Sequence, residues 1–154
     1  LQERQEISVG IWYDNILVGV IGFHDHVSAD NRIKIGYWID VDFEGLVSQS
    51  CQALMHYAYT NLNINRIEIC AVVGNDASRN VIERLGFVYE GTHQQVQKIY
   101  DTYVDHAVYR LLKQEWLQKI KSNPTFIDTL PPLIIYSKNE SFPENHSSQL
   151  GCSF

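Results

Sequence analysis

The hydrophobic pattern between residues 33 and 87 switches period three times. Residues 33–40, Ile-Lys-Ile-Gly-Tyr-Trp-Ile-Asp, read as a strand that runs into a turn at Phe43, Glu44 and Gly45. From Val47 the apolar positions recur at Cys51, Leu54, Met55, Ala58 and Leu62. That three- and four-residue spacing is one face of an amphipathic helix. Residues 66–73, Arg-Ile-Glu-Ile-Cys-Ala-Val-Val, return to a strand. Asn75 and Asp76 then open a second helix, which Gly86 closes. Two strands whose C-terminal ends each feed a helix N-terminus make an anion and nucleotide-tail site. The unpaired N–H groups and the positive dipole ends point the same way.

The flanking segments are simpler. Residues 1–5 are polar and read as the frayed end of a helix. Residues 7–13 alternate, Asp14-Asn15 is a turn, and residues 16–24 return, which makes a hairpin. A second turn at 28–31 leads to the strand at Ile33, so three antiparallel strands precede the first clear helix. After Gly86, a strand reaches Ile99, Tyr100-Asp101-Thr102 turns, and residues 104–112 run back with Ala107, Tyr109 and Leu111 on one parity. Residues 113–121 read as a short helix. Beyond Ser122, Pro124, Pro131, Pro132 and Pro143 break the pattern, leaving one short strand expected at 133–136. The expected fold class is α+β, a mixed and mostly antiparallel sheet flanked by helices, with one parallel pair in its middle. The expected division is a domain over 1–116 and a partly irregular extension over 117–154.

Composition narrows the function classes. A chain of 154 residues that is 45% hydrophobic and 12% aromatic has enough apolar mass for one real core. It contains no apolar run long enough to span a bilayer and no basic, apolar-cored leader. The first residue is Leu, as expected of a processed chain or of one cut from something longer. A net charge of −6 argues against nucleic-acid binding and suits a cationic acceptor such as an amine or a basic peptide. Cys51, Cys70 and Cys152 form no CxxC pair, and the first two fall on predicted buried faces. This is the usage of a reducing, cytoplasmic compartment. His24 and His26 share a strand face, but spacing supplies no further ligands, so no metal is expected.

Four segments in order, IGYWID, GLVSQSCQALMHYAY, NRIEICAVVGNDASRNVIERLGFVYEG and YDTYVDHAVYRLL, resemble the GNAT superfamily of acyl-CoA N-acyltransferases. Within it they are similar to the RimJ/RimL branch, which acetylates ribosomal-protein N-termini. The resemblance spans roughly residues 7–116. It implies acetyl-CoA as co-substrate and direct transfer of acetyl to a small-molecule or peptide amine, a protein α-amine included. Thioester aminolysis of this kind needs a neutral amine, a donor for the oxyanion and a proton for the leaving thiolate, with no covalent enzyme intermediate.

The resemblance also implies site residues. Trp38, Ile39 and Asp40 end the central strand, whose backbone pairs with the pantetheine arm in the family. Gly45 ends the pyrophosphate loop, and Leu46, Val47 and Ser48 supply the helix's first backbone donors. Asn75 matches a cofactor-arm contact, Ser78 matches the thiolate acid, and Arg79 faces either the phosphates or solvent. Asn75 and Asp76 are equally good helix caps. Asp42 is the candidate for drawing the amine proton, directly or through water. Tyr100 and Tyr103 flank the final turn, either as packing residues or as an alternative acid.

The chain departs from the family pattern in four places. The loop before the helix has one glycine and is two residues short, Glu44 stands where a cation would help a diphosphate, and Lys34 replaces an acidic residue. The usual first strand and two helices are missing. These departures favour an alternative: a catalytically impaired relic, or a CoA-binding or dimerising module without turnover. The missing helices would leave apolar surface to be covered by a partner chain, by the C-terminal residues or by a second copy of the chain.

Overall fold

The computed structural model describes residues 6–132 and the backbone of Ile135–Tyr136. The strands are β1 (Ile7–Tyr13), β2 (Ile16–Val27), β3 (Arg32–Ile39), β4 (Arg66–Val72), β5 (Val88–Ile99), β6 (Thr102–Leu112) and β7 (Ile135–Tyr136). The helices are α1 (Val47–Asn61), α2 (Asp76–Arg84) and α3 (Lys113–Ser122). One sheet runs in the order β5-β6-β4-β3-β2-β1-β7. Only β3 and β4 pair in parallel, because α1 carries the chain back between them; the other neighbours are antiparallel. The expected mixed, mostly antiparallel sheet is therefore what the chain forms.

Local chemistry sets the turns. Asp14 and Asn15 take φ of 47° and 63° and join β1 to β2 through a two-residue loop, since Tyr13 pairs with Ile16. Left-handed values at both loop positions match the twist of the two strands. Tyr100 and Asp101 repeat the device between β5 and β6, with φ of 44° and 63°. Gly86 follows α2 with φ of 93°, a value that stops a helix cheaply only without a Cβ.

The core lies between α1 and the β3–β4 face. Val47, Cys51, Leu54, Met55 and Ala58 are buried in one cluster with Ile33, Ile35, Ile67 and Ile69. Leu62, the last position of the expected stripe, is half-buried. Trp116 of α3 sits 6.1 Å from the Tyr59 ring and 5.7 Å from Phe126, so α3 closes the far end of the core. The Tyr59 hydroxyl donates to the Leu111 carbonyl at 2.8 Å, the partner a buried phenol requires.

β7 covers the β1 edge, pairing Ser8 with Tyr136 and Val9 with Ile135. Residues 133–134 of the expected strand, the polar residues 1–5 and Cys152 lie outside the described residues. The nearby surface remains apolar: Trp12, Tyr13 and Ile16 are exposed. Two local expectations change. Asp25 takes φ of 50° inside a register shift between His24 and Val27, so simple alternation does not link His24 to His26. Tyr100 is almost entirely exposed at the β5–β6 turn; Tyr103, exposed in β6, pairs with Lys98, whose Nζ lies 5.8 Å from its ring centroid.

Candidate active site

β3 and β4 pair only from Arg32/Arg66 to Ile35/Ile69. β3 continues to Ile39 and β4 to Val72 without pairing to each other, so the two strands splay. Asp40 donates its N–H to the Val18 carbonyl at 2.9 Å, which fixes the parity of the β2–β3 ladder. The Trp38 backbone groups and the Asp40 N–H therefore face β2, the Asp40 carbonyl accepts the Phe43 N–H at 2.9 Å, and Tyr37 and Ile39 turn their backbone groups to the gap. Of the three residues that the resemblance sets along the pantetheine arm, Ile39 turns its backbone to the gap, while Trp38 and Asp40 differ from it in register.

A cleft of about 220 Å³ occupies the gap. β3 contributes Tyr37, Trp38 and Ile39; α1 contributes Val47; Asn75 with Ala77, Ser78 and Val81 of α2 closes the other wall. Val41 and Glu44 come from a 3-10 helix, Val41–Leu46, that replaces the expected simple turn. Its start is capped by Asp40, whose carboxylate accepts the Asp42 N–H at 3.2 Å. Its end uses the Val47 N–H, which donates to the Glu44 carbonyl. Val47 thus lines the cleft with its side chain while its N–H, expected as a ligand donor, is engaged inside the protein.

The mouth of α2 is more ordered still. Asn75 is the N-cap, and its Oδ1 accepts the Ser78 N–H at 3.1 Å. Ser78 is buried, and its Oγ accepts a hydrogen bond from the Tyr37 hydroxyl at 2.9 Å. The cap and the cleft contact are therefore compatible functions of the same Asn75 side chain.

Several expected residues stand away from the cleft. Asp42 is exposed and outside its lining, whereas Glu44 of the same 3-10 helix is, among the described residues, the one charged lining residue. The Leu46 side chain lines a separate apolar cleft against β1, Pro131 and Pro132. Ser48 is half-buried in the first turn of α1 and does not line the main cleft. Arg79, partly exposed and outside the lining of the main cleft, donates through Nε to the Tyr109 hydroxyl at 3.0 Å and through Nη1 to the Val73 carbonyl at 3.1 Å. Gly45 is instructive by its surroundings. A Cβ there would meet nothing within 4 Å, and its φ lies outside the left-handed region. Nothing within the described residues demands glycine at Gly45.

Tyr37, the residue that sequence reasoning missed, carried one signal. It shares parity with Ile33 and Ile35 on the core face of β3, and a phenol on a core face needs a hydrogen-bond partner. The partner is 41 residues away, so no local pattern names it. Cys51 is excluded as a nucleophile, since burial pushes its thiol up to about 12. Among the described residues no cluster of His, Cys, Asp or Glu could hold a metal, and no helix is long and apolar enough to cross a membrane.

Comparison with known proteins decides the family. The model of the Acetyltransferase (GNAT) domain matches residues 3–88. The chain belongs to the GNAT acetyltransferase family. It is 40% identical over 112 residues to the Bacillus subtilis (strain 168) protein named "Putative ribosomal N-acetyltransferase YdaF". That match covers 71% of this chain and 61% of the relative. It is 34% identical over 101 residues to the ribosomal-protein-serine acetyltransferase of Escherichia coli (strain K12), covering 64% and 56%. This GNAT chain thus spans about three fifths of the length of the relatives it matches. Among solved structures it is similar to RimL, a ribosomal L7/L12 alpha-N-protein acetyltransferase in complex with coenzyme A. The TM-score is 0.66 at 34% identity, over 71% of this chain and 63% of that one.

Proposed function

We propose that this GNAT chain carries the donor half of an acetyl-CoA-dependent N-acetyltransferase of the RimJ/RimL type, acting by direct attack of an amine, with a protein α-amine as acceptor. The observation that carries the proposal is the splayed cleft, with Ile39 backbone on one wall and Asn75 and Ser78 on the other. Acetyl-CoA supplies the thioester. The Ile39 backbone and the Asn75 amide bind the pantetheine arm, Trp38 and Val47 wall it, and Gly45 lets the diphosphate approach the start of α1. Ser78, buried at the cleft wall, gives its proton to the departing thiolate. An α-amine of pKa ~8 needs no strong base, so a carboxylate of the 3-10 helix, Asp42 or Glu44, suffices to draw its proton through water. The names of the relatives support a protein acceptor, and the buried cysteines Cys51 and Cys70, which form no CxxC pair, support a reducing, cytoplasmic setting.

A second reading has its own observation. Glu44 lines the cleft beside a 3-10 loop that consumes the Val47 N–H, an arrangement unfavourable to a diphosphate. It favours a domain that holds CoA weakly and does not turn over. Acetyl transfer to a peptide α-amine, followed by mass spectrometry, separates the two. The double variant Asn75→Ala with Ser78→Ala is expected to lose transfer, and full activity in it would sink the site assignment.

A further inference from the structure

We infer that Tyr37 is a positioning residue for the thiolate acid, acting through its hydrogen bond to Ser78. The inference rests on the transferase reading above. The Tyr37 hydroxyl donates to Ser78 Oγ at 2.9 Å, and both residues are buried at the cleft wall. A serine hydroxyl has one proton and two lone pairs. The Tyr37 donation occupies a lone pair, so the serine's own proton is directed elsewhere than to the phenol. Ser78 is held from two sides, by this bond at Oγ and by the Asn75 cap on its N–H.

The chemical consequence follows from where charge develops. The amine nitrogen bonds to the thioester carbon, the C–S bond breaks, and sulfur keeps the electron pair. Sulfur takes the Ser78 proton, and Oγ recovers a proton from the ammonium through water, so none is gained or lost. While Oγ is short of its proton, a donor already aimed at it stabilises the negative charge without reorganisation. A donor to the oxygen also polarises the O–H and makes it a better acid in a buried site. Tyr37 stays protonated throughout.

Two measurements on the intact chain test this. Tyr37→Phe keeps the ring and removes only the donor. Its kcat is expected to fall about tenfold with acetyl-CoA, with donor KM within about twofold. The defect should shrink with an acetyl aryl thioester, whose leaving thiolate needs no proton; a packing defect would slow both donors alike. The second readout requires no acceptor. The ultraviolet absorbance of CoA thiolate, titrated in complex, should show the bound thiol about tenfold less acidic in Tyr37→Phe than in the parent chain. In a Ser78→Ala background the same change should do nothing. Bound CoA with an unchanged thiol acidity overturns the inference and leaves the transferase reading intact. Failure of CoA to bind the parent chain overturns both. If Tyr37→Phe does not fold, judged by circular dichroism, Ser78→Cys serves instead. It retains a proton but accepts poorly from Tyr37, and wild-type thiol acidity in it overturns the inference.

Discussion

Asn75 has two roles in this account, and a pair of substitutions separates them. Its Oδ1 caps α2 by accepting the Ser78 N–H at 3.1 Å, and the residue lines the cleft, where its NH₂ is the proposed cofactor donor. Asn75→Ala removes both. Loss of an N-cap of this kind costs about 1 kcal/mol. For a chain of 154 residues that lowers the melting temperature by roughly 2–4 °C. Losing one ligand hydrogen bond weakens CoA binding by about five- to tenfold. Asn75→Asp keeps an acceptor oxygen for the Ser78 N–H and adds a negative charge at a helix N-terminus, worth up to ~1 kcal/mol. It loses the NH₂ donor. The aspartate variant should therefore melt with the parent chain and bind CoA as poorly as the alanine variant. Thermal denaturation by circular dichroism and calorimetric titration with CoA read the two quantities independently. If Asn75→Asp melts as low as Asn75→Ala, the cap argument is wrong. If it binds CoA like the parent, the cofactor contact is wrong.

Two further outcomes follow from the electrostatics. Glu44→Lys replaces a carboxylate of the cleft lining by a cation and should tighten CoA by about fivefold at low salt. The gain should fade as salt rises, and equal tightening of acetyl-pantetheine, which lacks the diphosphate, would contradict the charge argument. Burial lowers the pKa of His24 and His106 below the ordinary 6.5, the first despite Asp25 beside it and the second with His93 adding to the effect. Above pH ~6.5 both are neutral folded and unfolded; below it the unfolded chain takes up protons first, so stability is lost as pH falls towards the folded values. Melting temperature should decline from pH 7 to 5, and replacing both histidines by Gln should flatten that decline; an unchanged slope would contradict it.

Much of the fold could be read from periodicity because its signals are local. Val47, Cys51, Leu54, Met55 and Ala58 are buried as the helical spacing requires. Asp14-Asn15 and Asn75 carry turn and cap chemistry within a few residues of where it acts. What escaped is long-range or backbone-borne. The apolar runs of β3 and β4 continue past Ile35 and Ile69, so no residue marks where the strands part. The register that turns Ile39 and not Trp38 towards the gap is set by pairing with β2. The bond from Arg79 to Tyr109 spans 30 residues, so no local pattern announces it. Tyr37 and Ser78 likewise meet across 41 residues. Glu44 stands out in the sequence as an anion near a diphosphate loop, but its place in the cleft depends on a 3-10 helix that a short turn motif does not announce.

The central claim is that the splayed cleft binds an acyl-CoA. Calorimetric titration of acetyl-CoA into the purified chain, with desulfo-CoA alongside, tests it most directly. Saturable, single-site binding of both in the micromolar range, weakened by Asn75→Ala, is the expected result. No heat and no competition at millimolar ligand would contradict it.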